Sequence, residues 1–451
     1  MTTSIYAILV LSVLFAKSCA FVPQQAQGWL KRSQEVTYPL QLAGKGFGKN
    51  SIPNEESVAS NSDFETSQLS SSDPLYGMSD ERKANLFQFL LRDLQVEGAP
   101  LLSVDSVDFH TLQAALWTTL AELMESDDSN KACLIFEQIP IPALKSLVDG
   151  ILVLKEQPRL MASLPELERF NVSLVGKGVG PAILLEVGGR NETNPYENSI
   201  ATVSPSQTTA AMKMFVDRIN SYLYSARDVS DRLESIAPVP VEYRSCAFSE
   251  VCHILSAFWN SVCEIQTTPS DQLQSIMLSF PATNAADHER FVAVAEVVSR
   301  SLSVYHRNID GDNENLLEIQ HFSPAYDRDE VSSNNEVADG HLPPTSWLQA
   351  MLRHTDLEDE NRVKAQLVIK SNFQRRAPIN SVCIKRSDSV DGKMDETKGI
   401  TELTLENGGG KKVVPASIVL RYAWNAVAMN KQDQEDLRQA LEKEIEIANR
   451  Q

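Results

Sequence analysis

Phe109, Leu112, Leu116, Leu120 and Leu123 return every three or four positions. That spacing puts them on one face of an α-helix. Leu86, Phe89, Leu90 and Leu94 repeat it earlier in the chain. The short apolar run Ala132–Phe136 predicts a buried strand. Pro142 fits the first turn of a helix carrying Leu144, Leu147, Val148 and Ile151, which Pro158 bends or ends. Two strands, Phe170–Val175 and Ala182–Val187, flank a glycine-rich loop. A long helix from about Thr208 to Glu234 carries Met212, Phe215, Ile219, Tyr222 and Leu223 on one side. Pro238 and Pro240 mark a boundary.

Beyond that boundary the order returns. Val251–Ile265 reads as a helix, Ile276–Phe280 as a strand, Phe291–Val298 as a helix and Leu316–Phe322 as a strand. This order fits either an internal duplication or ordinary α/β alternation. The last region predicts strands at Val363–Ile369, Ile379–Ile384, Gly399–Glu406 and Lys412–Leu420. Asn407 to Gly410 supplies a hairpin turn. Leu437, Leu441, Ile445 and Ala448 give a closing helix. The expected fold is therefore α+β or mixed α/β. It has two helix–strand–helix–strand lobes, 79–237 and 238–358, and an antiparallel region closed by a helix, 359–451.

Composition adds a leader and a charge. Ile5–Ala16 is one apolar run, too short to span a bilayer comfortably, followed by the small residues Ser18, Cys19 and Ala20. Residues 1–20 thus read as a signal peptide. From Phe21 to Asn54 the chain holds Lys31, Arg32, Lys45 and Lys49 against the single acid Glu35, which is transit-peptide character. The join Ala20-Phe21-Val22-Pro23 resembles the Ala-Phe-x-Pro junction of plastid proteins in diatoms and related algae. The resemblance implies import into the stroma of a secondary plastid by way of the secretory route. Plain secretion is the alternative, and the sequons at Asn171 and Asn191 fit it. Residues 55–78, rich in Ser, read as a disordered linker. No later run reaches membrane-spanning length.

The formal net charge of -19 disfavours gripping nucleic acid or an anionic membrane with the whole protein. The six cysteines are sparse and unpaired in spacing, so a disulfide scaffold is not indicated. Gly176-Lys-Gly178-Val-Gly180 is followed by a strand, not by the helix a phosphate loop requires. Asp310 to Asn315 lacks the glycine and the closing glutamate of a calcium loop. Cys246, Cys252, His253 and Cys263 match no common zinc spacing. No metal or cofactor is expected on these motifs.

Within this acidic chain, residues 361–420 hold eleven Lys and Arg against six Asp and Glu, a net of five positive charges. Arg375, Arg376, Lys385, Arg386, Lys411 and Lys412 could form a basic face on strands. Such a face would suit a plastid protein partner, RNA or anionic lipid.

One stretch carries a family likeness. It comprises Cys246-Ala247-Phe248, the strand Ile276–Pro281, the strand end Gln320-His321-Phe322-Ser323-Pro324-Ala325-Tyr326, and Leu342-Pro343-Pro344 leading into Met351-Leu352-Arg353. In order and spacing, residues 246–357 resemble the family known as domain of unknown function 1415. That family has Cys-Pro where this chain has Cys246-Ala247, and His where it has Ser323. It has Glu after Leu-Leu-Arg, where this chain has His354. An enzyme reading would gather Cys246, His321, Tyr326 and Arg353 in one site, with Cys or His as nucleophile or base. The eroded positions favour a binding or assembly factor of the plastid, with an enzyme of uncharted type as the alternative.

Overall fold

The computed structural model describes residues 101–104, 108–126, 130–136, 139, 141–175, 182–189, 203–225, 237, 240–283, 287–308, 317–328, 340–353, 369–386, 402–407 and 410–450. The expected leader, the linker, the helix near Leu86 and the Asp310 loop lie outside the described residues.

The chain divides between Asn191 and Glu192 into two units. The first runs β1 (Leu101–Val104), α1 (Phe109–Glu125), β2 (Lys131–Phe136), α2 (Ile141–Lys155), α3 (Pro158–Ser163), β3 (Phe170–Leu174) and β4 (Ala182–Val187). Pro158 ends one helix and opens the next, because its fixed φ suits a first helical turn. The four-stranded sheet has the order β1-β2-β4-β3. β1 and β2 run parallel, and β4 is antiparallel to both its neighbours. Leu116, Leu120, Phe136 and Leu185 are fully buried, which supplies the apolar burial that drives the unit together. The glycine loop joins β3 to β4, so a strand follows it, and the helix of a phosphate loop is absent there.

The second unit runs α4 (Pro205–Ser225), β5 (Val241–Ser245), α5 (Val251–Thr267), β6 (Ser275–Ser279), α6 (His288–Asn308), β7 (Leu317–Phe322), α7 (Thr345–Arg353), β8 (Ser381–Arg386), β9 (Glu402–Asn407), β10 (Gly410–Pro415), α8 (Ala416–Asn430) and α9 (Gln434–Asn449). Its sheet has the order β5-β6-β8-β7. β5 and β6 are parallel, and β8 is antiparallel to β6 and β7. The two sheets therefore share strand order and strand directions. Each opens with a strand, a 17-residue helix and a parallel strand.

Four expectations need correction. The boundary expected at 237/238 falls at 191/192, because α4 packs within the second unit: Phe215 meets Phe322 edge-on at 5.6 Å, and Arg218 pairs with Glu444 at 2.6 Å. The region 359–451 is not a separate strand domain, because β8 fills the place between β6 and β7. The strand expected at Lys412–Leu420 stops at Pro415, and a helix begins at Ala416. The β-branched run there is apolar enough for a strand, but Val419, Ala423, Ala426 and Val427 are buried at helical spacing. Ile369, expected to end a strand, begins a 3-10 helix through Gln374. The β9–β10 hairpin forms as expected, with Asn407 opposite Gly410.

Candidate functional site

Alternation along β7 sends Phe322 and His321 to opposite faces of the sheet. Phe322 enters the core beside Phe215. His321 turns to α6, where its Nε2 lies 2.9 Å from the Ser299 hydroxyl. β7 is an edge strand, and edges need cover. A strap at Gly340–Leu342 supplies it: the His321 amide donates to the Gly340 carbonyl at 3.1 Å. Gly340 has φ of +78°, where residues with side chains are strained.

The strap carries His341 into a buried cluster. Its ring centroid lies 4.9 Å from that of His321 and 5.9 Å from that of Tyr326. The Tyr326 hydroxyl accepts the Leu342 amide at 3.0 Å and lies 3.5 Å from His341 Nδ1. Arg328 donates to the Leu342 carbonyl and closes the strap. Burial lowers the His341 pKa well below the usual histidine range; His321, Arg328, Arg375 and His288 add to this. The imidazole is held neutral. Burial likewise raises the Tyr326 pKa.

His321 and Tyr326, two of the residues singled out from the resemblance, thus meet through His341. The other two do not join them. Cys246 follows β5, buried, with its thiol 3.6 Å from the Phe248 carbonyl. Burial pushes that thiol up to about 11, so it is protonated at neutral pH and a poor nucleophile. Arg353 is exposed at the last position of α7.

The basic face expected from the C-terminal strands is also corrected. Arg375 is buried, its guanidinium 5.1 Å over the Phe322 ring. Arg376 donates to the Tyr326 carbonyl at 2.9 Å and faces Asp327 at 3.9 Å. Lys385 is fully buried, 3.4 Å from Glu318. Arg386 caps the end of α5, donating to the carbonyls of Ile265, Thr268 and Leu273. Arg375, Lys385 and Arg386 are buried within the fold, and Arg376 is partly exposed. The side chains of Lys411 and Lys412 lie outside the described residues.

In front of His321 lies a shallow cleft that encloses about 20 Å³. It sits beyond the carboxyl end of β6, where α6 begins and β8 enters. Phe280, Phe291, Val294, Ala295, Val298 and Val382 make it largely apolar; Thr283, Asp287, Arg290, His321 and Asn380 bring polar groups to it. Asp287 accepts the Arg290 amide at 2.9 Å at the start of α6, and Arg290 reaches back to the Ser249 carbonyl at 2.6 Å. The orientation of Asn380 is fixed by hydrogen-bond chemistry. Thr283 gives its single hydroxyl proton to the Phe280 carbonyl at 2.6 Å, so it can only accept from Asn380 Nδ2, at 2.9 Å. The Asn380 amide oxygen must then point away, and it is buried with no hydrogen-bond partner. Leaving such an acceptor unpaired costs about 1–3 kcal/mol.

Sequence reasoning missed Ser299, His341, Arg290 and Asn380. A serine on an otherwise apolar helix face, between Val298 and Leu302, was the available signal for the first. Nothing local marks Asn380. Among the described residues, no group of three or more His, Cys, Asp or Glu side chains could hold a metal ion, and no helix is long and apolar enough to cross a membrane. No family model, curated protein or solved structure matches this chain.

Proposed function

We propose that this chain is a plastid-imported binding protein whose recognition element is the cleft of the second unit. One observation carries the reading: a small apolar cleft with a few fixed polar groups lies beyond the carboxyl ends of sheet strands, the end of the sheet at which ligands bind in folds with parallel strands. The protonated thiol of Cys246 and the exposed position of Arg353 favour binding over an enzyme with its site at Cys246, His321, Tyr326 and Arg353. β5 and β8 fall outside residues 246–357, so a site in this sheet draws on more chain than that resemblance covers.

Ligand-observed NMR of the full chain with a panel of small aromatic fragments tests this. Fragments should bind the native chain and fail to bind Ala295→Phe, whose side chain would fill the cleft, with circular dichroism unchanged. Equal binding to both proteins contradicts the reading. For the plastid address, residues 1–54 fused to a fluorescent protein should light the plastid; signal in the medium would reject it.

The 2.9 Å contact between Ser299 and His321 supports a second reading, an enzyme in which His321 activates Ser299. A fluorophosphonate probe would then label Ser299 in the native chain and not in His321→Ala. Absence of labelling removes this reading.

A further inference from the structure

We infer that the Gly340–Leu342 strap is an acid-operated latch on the β7 edge, released when His341 takes up a proton. The latch depends on neither reading of the cleft. Three hydrogen bonds fasten the strap: the His321 amide to the Gly340 carbonyl, the Leu342 amide to the Tyr326 hydroxyl, and Arg328 to the Leu342 carbonyl. None of them belongs to the pairing of β7 with β8, which runs through six residue pairs from Leu317 to Phe322. The strap can therefore leave the edge while the sheet stays intact. His341 is the residue in it that a proton changes, and its ring is buried beside those of His321 and Tyr326. The charged and titratable groups that face it come from several elements. They are His321 from β7, Tyr326 and Arg328 from the loop after it, Arg375 from just past the 3-10 helix, and His288 from the start of α6. None of these supplies a negative charge at neutral pH. Asp327, on the same loop, is engaged by Asn372 and faces Arg376. Asp339, next to Gly340 in the chain, lies outside the described residues. An imidazolium at this place would be desolvated among like charges, and moving it into water relieves both costs. Burial holds His341 neutral in the closed strap, whereas a released one titrates at the ordinary 6.5, so opening gains as pH falls below that value. His321, which the strap covers, also lines the cleft.

Hydrogen exchange of the full chain, read at the His321 amide and corrected for the intrinsic pH dependence of exchange, tests the latch. Between about pH 7.5 and about pH 5.5 the opening equilibrium should rise about tenfold, the gain from one proton on a group that titrates normally only when released. About 1 M urea should leave His321 exchange unchanged, because local opening exposes little surface, while amides of β6 and β8 exchange faster in it. His341→Gln should remove the pH effect. An opening equilibrium that does not change with pH in the native chain overturns the latch, and that comparison needs no variant. So does a rise that survives in His341→Gln. A His321 amide that follows urea as β6 and β8 do overturns it too, because the whole sheet is then unfolding.

Discussion

Gly340 lies so close to His321 that a Cβ on it would stand 2.9 Å from His321 Cδ2 and equally near the Ile319 carbonyl. The strap can cover the β7 edge only because this residue has no side chain. Gly340→Ala adds a steric clash to a left-handed backbone strain of about 1–2 kcal/mol. It should lower unfolding free energy by roughly 2–3 kcal/mol. Urea denaturation measures this; an unchanged midpoint would show that the strap is not held as described.

The buried, neutral His341 ties stability to pH. Its folded pKa lies below the ordinary value of 6.5. The unfolded chain therefore binds the proton more readily. This contribution is fully present above pH 6.5 and is lost as pH falls from there toward the folded pKa. The limiting slope is about 1.4 kcal/mol per pH unit. His341→Gln should flatten the profile over that window. The same slope in the variant would assign the effect to other groups.

Arg218 and Glu444 form a two-point pair, Nε to Oε1 at 2.6 Å and Nη2 to Oε2 at 2.8 Å, joining α4 to α9. Glu444 is buried. Arg218→Ala strands that carboxylate and should cost about 3–5 kcal/mol. Replacing both partners, Arg218→Met with Glu444→Leu, should recover most of the loss. A double variant as unstable as the single one would refute this account of the pair.

Arg386 bears on the basic strands directly. Its guanidinium meets three backbone carbonyls near the end of α5. Arg386→Ala should destabilise the second unit by roughly 2–4 kcal/mol, the cost of buried acceptors losing a charged donor. A variant of native stability that lost affinity for an acidic partner would restore the surface reading instead.

Local periodicity carried most individual elements. The apolar runs at β6 and β7, and the helical spacing of Ile254, Leu255, Phe258 and Val262 in α5, read through to the structure within two residues. Pairing across the sheet did not read through. β8 reaches its place between β6 and β7 across some sixty residues of chain, and no repeat in the sequence states that partnership. For the same reason Lys385 and Arg386 resembled surface charge: Glu318 and the α5 carbonyls that neutralise them are distant in sequence. His321 and Tyr326 stood out through the strand-end motif. His341 and Asn380 become visible only once the strap and β8 are in place.

A crystal of the full chain soaked in phenol tests the central claim most directly. One phenol is expected in the cleft, its ring between Phe291 and Val382. An empty cleft, or phenol bound only elsewhere on the molecule, would contradict it.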